Sequence, residues 1–127
     1  MSFEEIEILK ERAESFLKNA EELFLKEVYD LAAFNIEQYC QLIVKYKLLV
    51  KTGTYPRTRS LIKLLRLLSN ISSGLYILFE GRNIVMLTKI EDAYIGARYL
   101  ARRYEKGEVE EMLKFVLEVF RNVIERI

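Results

Sequence analysis

Apolar residues recur at alternating spacings of three and four along most of this 127-residue chain, the pattern of a buried stripe on an α-helix. A single proline, Pro56, interrupts it, and only five glycines are present. Because proline and glycine commonly end helices, their scarcity favours long helices joined by short connections, and short connections favour antiparallel neighbours. The sequence therefore predicts an all-α fold, an antiparallel helical bundle of about five helices, with residues 1–127 as one domain.

The boundaries of these helices follow from the apolar pattern and from its breaks. Ser2 and Glu5 form a capping-box pattern at the first start. Residues 72–82 are expected to form a loop, whose apolar part must pack against the rest. The predicted helices are Phe3–Lys26, Tyr29–Lys51, Arg57–Ile71, Ile84–Tyr104 and Glu108–Arg126.

The second predicted helix is apolar over most of its circumference and carries only a narrow polar strip. Such a helix is expected in the middle of a bundle, in contact with several neighbours. Five helices are not expected to cover all of it, and large exposed apolar patches usually mark interfaces, so we expect a homodimer. Its polar strip comprises Asp30, Glu37 and Gln41, and the apolar residues outside its main stripe are Phe34, Leu48 and Leu49.

The absence of histidine restricts the chemistry more than any other compositional feature. It excludes catalytic sites built on histidine with serine or cysteine, and with one cysteine, Cys40, it disfavours zinc. The glutamate pairs of the first and last predicted helices are typical of solvated faces, so no metal is expected. No phosphate-binding loop or dinucleotide motif is present, so no cofactor is expected. The acidic start of the chain does not resemble a signal peptide, and no apolar run approaches the roughly 20 residues of a membrane span. We therefore expect a cytoplasmic protein without a membrane partner.

Charge is distributed unevenly although the net charge is only +1. Residues 1–37 contain ten acids and four bases, whereas residues 38–79 contain seven bases and no acid. Such a basic surface can bind the phosphates of RNA or of a nucleotide. Equally, it can meet the acidic first helix within the fold or across a dimer. The seven bases are Lys45, Lys47, Lys51, Arg57, Arg59, Lys63 and Arg66.

A second group of arginines lies near the end of the fourth predicted helix. Arg98 stands beside Tyr94 and Tyr99, and Arg103 follows about one turn later. Arginine can bind phosphate through two hydrogen bonds and can stack on aromatic rings. The alternative is that Arg98 pairs with an acid such as Glu91.

Two stretches of the chain resemble the HEPN domain family of small prokaryotic helical proteins. The first is Tyr29-Asp30-Leu31-Ala32-Ala33-Phe34, followed by Glu37-Gln38, by Lys45 and by Pro56-Arg57-Thr58-Arg59-Ser60-Leu61. The second is Tyr94-Ile95-Gly96-Ala97-Arg98-Tyr99. The order and spacing of the two stretches carry the resemblance, which covers roughly residues 10–115.

The resemblance implies a helical bundle that dimerises and often pairs with a minimal nucleotidyltransferase encoded beside it. Many members are metal-independent ribonucleases of toxin–antitoxin and defence systems, and others are non-catalytic relatives that bind nucleotides or RNA. Carried over by position, Lys45 matches a common lysine of the second helix, and Glu37 and Gln38 match its polar pair. Arg98 and Tyr99 match the arginine–tyrosine pair of the fourth helix.

The chain departs from the ribonuclease members at several positions. Arg59 stands where the family often has histidine, and Gln41 stands where a glutamate precedes the lysine. Ribonuclease members have histidine a few residues after the arginine, whereas here Arg98 is followed by Arg103 at a similar spacing. Arginine cannot act as a base at neutral pH, since its pKa exceeds about 12.

Three functional hypotheses follow. The first is a non-catalytic, dimeric HEPN-like interaction module that binds a nucleotidyltransferase partner, or RNA or nucleotide phosphates. The second is a divergent metal-independent ribonuclease, and the third is a purely structural interaction protein. Under the first, the candidate ligand-binding residues are Glu37, Gln38, Lys45, Arg57, Arg59, Lys63, Arg66 and Arg98. Under the second, the candidate catalytic residues are Arg98, Tyr99, Arg103 and Tyr94.

Overall fold

The computed structural model describes residues 1–127 and contains helices but no strand. The all-α prediction is confirmed. A 3₁₀ turn, Tyr76–Phe79, precedes α4, and a π-helical segment, Val116–Phe120, joins α5 to α6 in one continuous helix. The α-helices are α1 (Phe3–Leu25), α2 (Tyr29–Thr52), α3 (Leu61–Ile71), α4 (Gly81–Gly96), α5 (Lys106–Phe115) and α6 (Arg121–Glu125).

A tight hairpin joins α1 to α2. The Ser2 hydroxyl accepts a hydrogen bond from the backbone N–H of Glu5 at 3.2 Å, so the predicted cap begins α1. At the far end of the hairpin, the Tyr46 hydroxyl of α2 donates to a carboxylate oxygen of Glu7 at 3.0 Å. The helices are therefore antiparallel, and the apolar stripe of α1 lies against α2 with Ala13 and Ala20 fully buried.

The remaining long helices complete an up-and-down bundle around α2. Both α1 and α4 pack on α2 and on α5, while α3 covers α2 and α4. The central position predicted for α2 is confirmed. The predicted loop before α4 packs as expected, since its side chains Leu75 and Leu78 are fully buried. No helix is both long enough and apolar enough to cross a lipid bilayer.

The polar strip predicted on α2 is mostly buried instead of exposed. Glu37 and Gln41 are buried at 0% and 5% exposure instead of lying on a polar surface. Leu48 and Leu49, expected to lie partly uncovered, are buried within the chain. These two leucines therefore give no support to a dimer interface.

Three predicted helix boundaries are wrong, since α4 also starts earlier than predicted, at Gly81 rather than Ile84. The third helix starts at Leu61 rather than Arg57, because the Ser60 hydroxyl accepts a hydrogen bond from the Lys63 N–H and caps the helix there. The fourth helix ends at Gly96; residues 97–101 form turns and bends, and residues 102–105 have no regular secondary structure. We call these nine residues the 97–105 segment. Its only buried residue is Tyr104.

The last helix contains one wide turn. The N–H of Arg121 donates to the carbonyl of Val116, five residues earlier, as in a π-helix. Val109, Met112 and Val116 are buried as the spacing predicts. From Phe120, the last residue of the π-helical segment, the buried positions lie one residue later than the regular spacing predicts. Phe120 and Ile124 are buried instead of Val119 and Val123.

Candidate functional site

The basic residues of positions 38–79 form no ion pair within the chain. The ion pairs of the structure are Arg82–Glu111, Lys89–Glu108 and Arg102–Glu108, all outside this stretch. No carboxylate of α1 therefore neutralises the basic stretch within the fold. Arg57, Arg59, Lys63 and Arg66 are all exposed.

Arg98 lies immediately after α4, at the centre of a group of aromatic rings. Its guanidinium carbon is 4.2 Å from the ring centroid of Tyr94, 4.6 Å from that of Tyr99 and 4.8 Å from that of Phe34. Its Nε donates to the carbonyl of Tyr94 at 2.9 Å, which fixes the plane of the group. The alternative pairing of Arg98 with Glu91 does not occur.

Arg59 reaches the same rings from the loop before α3. Its guanidinium carbon is 5.1 Å from the centroid of Tyr94, so two guanidinium groups lie against one ring. Phe34 was not predicted as a site residue; it is one turn before Gln38 on α2. We call Phe34, Arg59, Tyr94, Arg98 and Tyr99 the arginine–tyrosine cluster.

Buried polar side chains hold the loop that carries Arg59. The Gln41 amide nitrogen donates to the backbone carbonyl of Arg59 at 2.6 Å. Next to it, a Glu91 oxygen accepts from the Ser60 hydroxyl and from the Ile62 N–H, the latter at 3.2 Å. These bonds tie the loop to α2 and to α4, so the backbone at Arg59 is fixed from two sides.

Glu37 lies in the same buried region of α2. Burial raises its pKa from 4.5 to about 7, despite the opposing effects of the amides of Gln41 and Gln38 and of the Lys45 charge, while Glu91 raises the pKa further. The Gln38 amide donates to one carboxyl oxygen of Glu37 at 2.9 Å. The other carboxyl oxygen has no hydrogen-bond partner, and neither has the side-chain oxygen of Gln41.

Three other candidate residues lie outside the arginine–tyrosine cluster. The Lys45 amine lies 5.3 Å from the ring centroid of Tyr55, and the Arg66 guanidinium lies 4.7 Å from that of Phe79. Arg103 lines a separate depression beside Asp30 and does not join Arg98. The structure thus brings Arg98, Tyr94 and Tyr99 together but separates Arg103 from them, because α4 ends before both arginines.

A groove of about 820 Å³ runs along α4 from the cluster to the 97–105 segment. Arg59 and Tyr94 line one part of it, and Glu108 with its two bases lines another. Burial tends to raise the pKa of Glu108. Hydrogen bonds from the Glu105 N–H, Lys89 and Arg102 outweigh that effect and lower the pKa to about 2. This ion-pair network fixes part of the groove wall.

Comparison with known proteins agrees with the resemblance seen in the sequence. A family model described as HEPN domain matches residues 6–127. No curated protein and no solved structure matches the chain significantly. The family match includes every residue of the arginine–tyrosine cluster and of the buried polar group behind it. The chain belongs to the HEPN domain family.

Proposed function

We propose that this protein is a non-catalytic, dimeric HEPN interaction module that binds RNA or nucleotide phosphates at the arginine–tyrosine cluster. One observation carries the proposal: the guanidinium groups of Arg59 and Arg98 lie against the ring of Tyr94, and neither pairs with a carboxylate. Two fixed positive groups without an acidic partner are suited to bind phosphate oxygens through two hydrogen bonds each.

The aromatic part of the cluster favours a nucleic acid or nucleotide over a simple anion. Tyr99 is 68% exposed, and bases stack on exposed aromatic rings in proteins that bind single-stranded RNA. Lys63 and Arg66 extend the positive surface along α3 without contacting the cluster rings. An RNA strand that crosses from α3 to α4 would contact the basic side chains of Lys63 and Arg66 first and the exposed ring of Tyr99 last.

Dimerisation is part of the proposal because HEPN domains commonly dimerise. Val85, Ile95 and Leu100 all line the groove along α4 and are 62%, 45% and 58% exposed. Apolar side chains exposed close together are typical of an interface. A second copy on this face would place two arginine–tyrosine clusters near one another, and a nucleotidyltransferase encoded by a neighbouring gene is the protein partner that we expect.

The divergent ribonuclease is the second candidate, since Arg98 touches two tyrosines. Metal-independent RNA cleavage needs one group to activate the 2′-hydroxyl and another to protonate the leaving oxygen. Histidine is absent, and tyrosine ordinarily ionises near pH 10. The cluster thus has groups to bind a phosphate and none suited to move its protons.

The binding proposal is tested by fluorescence anisotropy with a labelled single-stranded RNA, and with a labelled nucleotide, at several salt concentrations. Arg59→Ala and Arg98→Ala should each weaken binding about tenfold, the value of one hydrogen bond to a charged group. Each should also reduce the salt dependence by about 0.7 in logarithmic slope, because one phosphate contact is lost. Arg126→Ala, an exposed arginine on the opposite end of the fold, is the matched control and should change neither.

Arginine-to-lysine variants separate planar contacts from simple charge. Arg98→Lys keeps the positive charge but loses the flat group that lies on Tyr94 and Tyr99, so its binding should resemble that of Arg98→Ala. Binding that is unchanged in both alanine variants would overturn the assignment of the site. If only a double Lys63→Ala, Arg66→Ala variant lost affinity, the ligand would lie on α3 instead.

A further inference from the structure

Glu37 and Gln41 lie one turn apart on α2, buried behind the loop that carries Arg59. Each has one oxygen without a hydrogen-bond partner, Oε2 of Glu37 and Oε1 of Gln41. Two neighbouring buried acceptors cannot satisfy one another, and an unpaired buried polar atom is unfavourable by about 1–3 kcal/mol.

One added proton would be enough to satisfy both oxygens. A neutral Glu37 carboxyl has an O–H on Oε2 that can donate to Gln41 Oε1, while its other oxygen continues to accept from Gln38. The amide nitrogen of Gln41 then remains directed at the Arg59 carbonyl, as the structure has it. An ionised carboxylate instead repels the oxygen of Gln41 and attracts its amide nitrogen, in competition with the Arg59 carbonyl.

We infer that Glu37 is a positioning residue for Arg59: its neutral carboxyl donates to Gln41, and Gln41 thereby holds the Arg59 backbone so that the guanidinium lies on Tyr94. Ionisation of Glu37 loosens that hold and weakens the cluster. The inference rests on the proposed function only in treating Arg59 as a ligand-binding residue. It adds regulation by pH, which the ligand-binding proposal does not contain.

The groups that face Glu37 set the pH at which its carboxyl ionises. Burial is the largest influence and favours the neutral form, as does Glu91 on α4. The amides of Gln41 and Gln38 and the charge of Lys45, two turns later on α2, favour the ionised form. The Cys40 thiol is a further titratable neighbour on α2 and remains a neutral thiol, because burial raises its pKa well above the usual value. Arg59 presents its carbonyl to this region while its charge lies on Tyr94. Burial and these charges together place the transition of Glu37 near neutral pH.

The experiment is an NMR titration of the whole chain, following the Glu37 carboxyl carbon and the Arg59 side-chain N–H from about pH 5 to about pH 9. We expect both signals to change with the same midpoint, near 7. In Glu37→Gln, which keeps a donor at this position, the Arg59 signal should not change with pH. Glu118→Gln, an exposed carboxyl on the last helix, is the matched control and should leave the titration unchanged.

Ligand binding supplies an independent readout. RNA affinity of the unaltered protein should fall about fivefold across the transition, the value of one hydrogen bond, and that of Glu37→Gln should not. If RNA does not bind at all, the proposed function fails while the NMR titration still tests the coupling. If Glu37 titrates but the Arg59 signal does not follow, or if Glu37 remains ionised throughout, the inference is overturned whatever the RNA does.

Discussion

The phenol oxygen of Tyr104 lies 2.8 Å from the place that a β-carbon on Gly96 would occupy. This close approach lets the 97–105 segment fold back on the end of α4. A hydrogen bond from the Tyr104 N–H to a carboxylate oxygen of Asp30, at 2.7 Å, ties the segment to α2. The glycine therefore decides where the segment after Arg98 runs, although it needs no unusual backbone angle.

Gly96→Ala should destabilise the protein by about 1–3 kcal/mol, because the new methyl group displaces a buried ring. Urea denaturation measures the difference. Gly107→Ala is the matched control: its β-carbon meets nothing within 4 Å, and alanine is the better helix former, so the variant should be as stable or more stable by up to about 1 kcal/mol. Equal stability of Gly96→Ala and the unaltered protein would show that Tyr104 can move freely.

The buried Glu37 makes stability depend on pH with a defined sign. Its pKa in the folded chain is about 7 against 4.5 for a glutamate in water, so the folded protein binds more protons between these values. Stability should therefore fall as pH rises through this window, by roughly 3 kcal/mol in total, and should level off above it. Denaturation of Glu37→Gln should lack this fall. A stability that rises across the same interval in the unaltered protein, and equally in the variant, would show that Glu37 ionises normally.

No RNA turnover is expected from the purified protein at neutral pH. Proton transfer by a well-placed group is worth about 10²–10⁴-fold, and neither arginine nor an ordinary tyrosine provides it there. The measurement is cleavage of a labelled structured RNA with and without chelator, beside Arg98→Ala. Chelator-resistant cleavage that disappears in the variant would establish the ribonuclease alternative, whereas equal cleavage by both proteins indicates a contaminant.

The exposed apolar face along α4 should form the dimer contact. Sedimentation at micromolar concentration should show a dimer, and Leu100→Glu should shift it to the 15.1 kDa monomer without loss of helix. Leu25→Glu, at an 80% exposed leucine at the end of α1, is the control and should remain dimeric. A monomer in the unaltered protein would contradict the dimer, and a Leu100→Glu dimer would place the contact elsewhere.

Helices that bury one regular apolar stripe could be predicted from the sequence. The end of a helix could not be predicted where tertiary contacts determine it. The apolar stripe of α1 and the inward leucines of α3 follow directly from spacing. The apolar spacing at Ala101 and Tyr104 predicts that the fourth helix continues to Tyr104, yet Tyr104 reaches the core from a stretch without regular structure. Gly107 belongs to a residue type that commonly ends helices, yet it lies inside the first turn of α5, where Glu105 and Glu108 form a capping box.

The candidate site was predictable in its residues but not in its assembly. Arg59 was selected for its charge and Arg98 for the family resemblance, and only the fold brings both to Tyr94. Phe34 and Gln41 belong to the same region, but the sequence marks Phe34 only as an apolar residue outside the main stripe and Gln41 only as a departure from the family glutamate. Neither observation indicates a contact with the site. The departure of Gln41 from the family glutamate was visible, but its bond to the Arg59 carbonyl depends on where the loop lies.

The wide turn at Val116–Phe120 affects how this chain should be compared with its relatives. It holds one residue more than an α-helical turn, so it is equivalent to an insertion within a helix. A relative with an unbroken last helix must be aligned with a one-residue gap there, a position where gaps are ordinarily disfavoured. Without that gap, Val119 and Val123 would be matched to core residues of the relative, and Phe120 and Ile124 would be mistaken for surface positions.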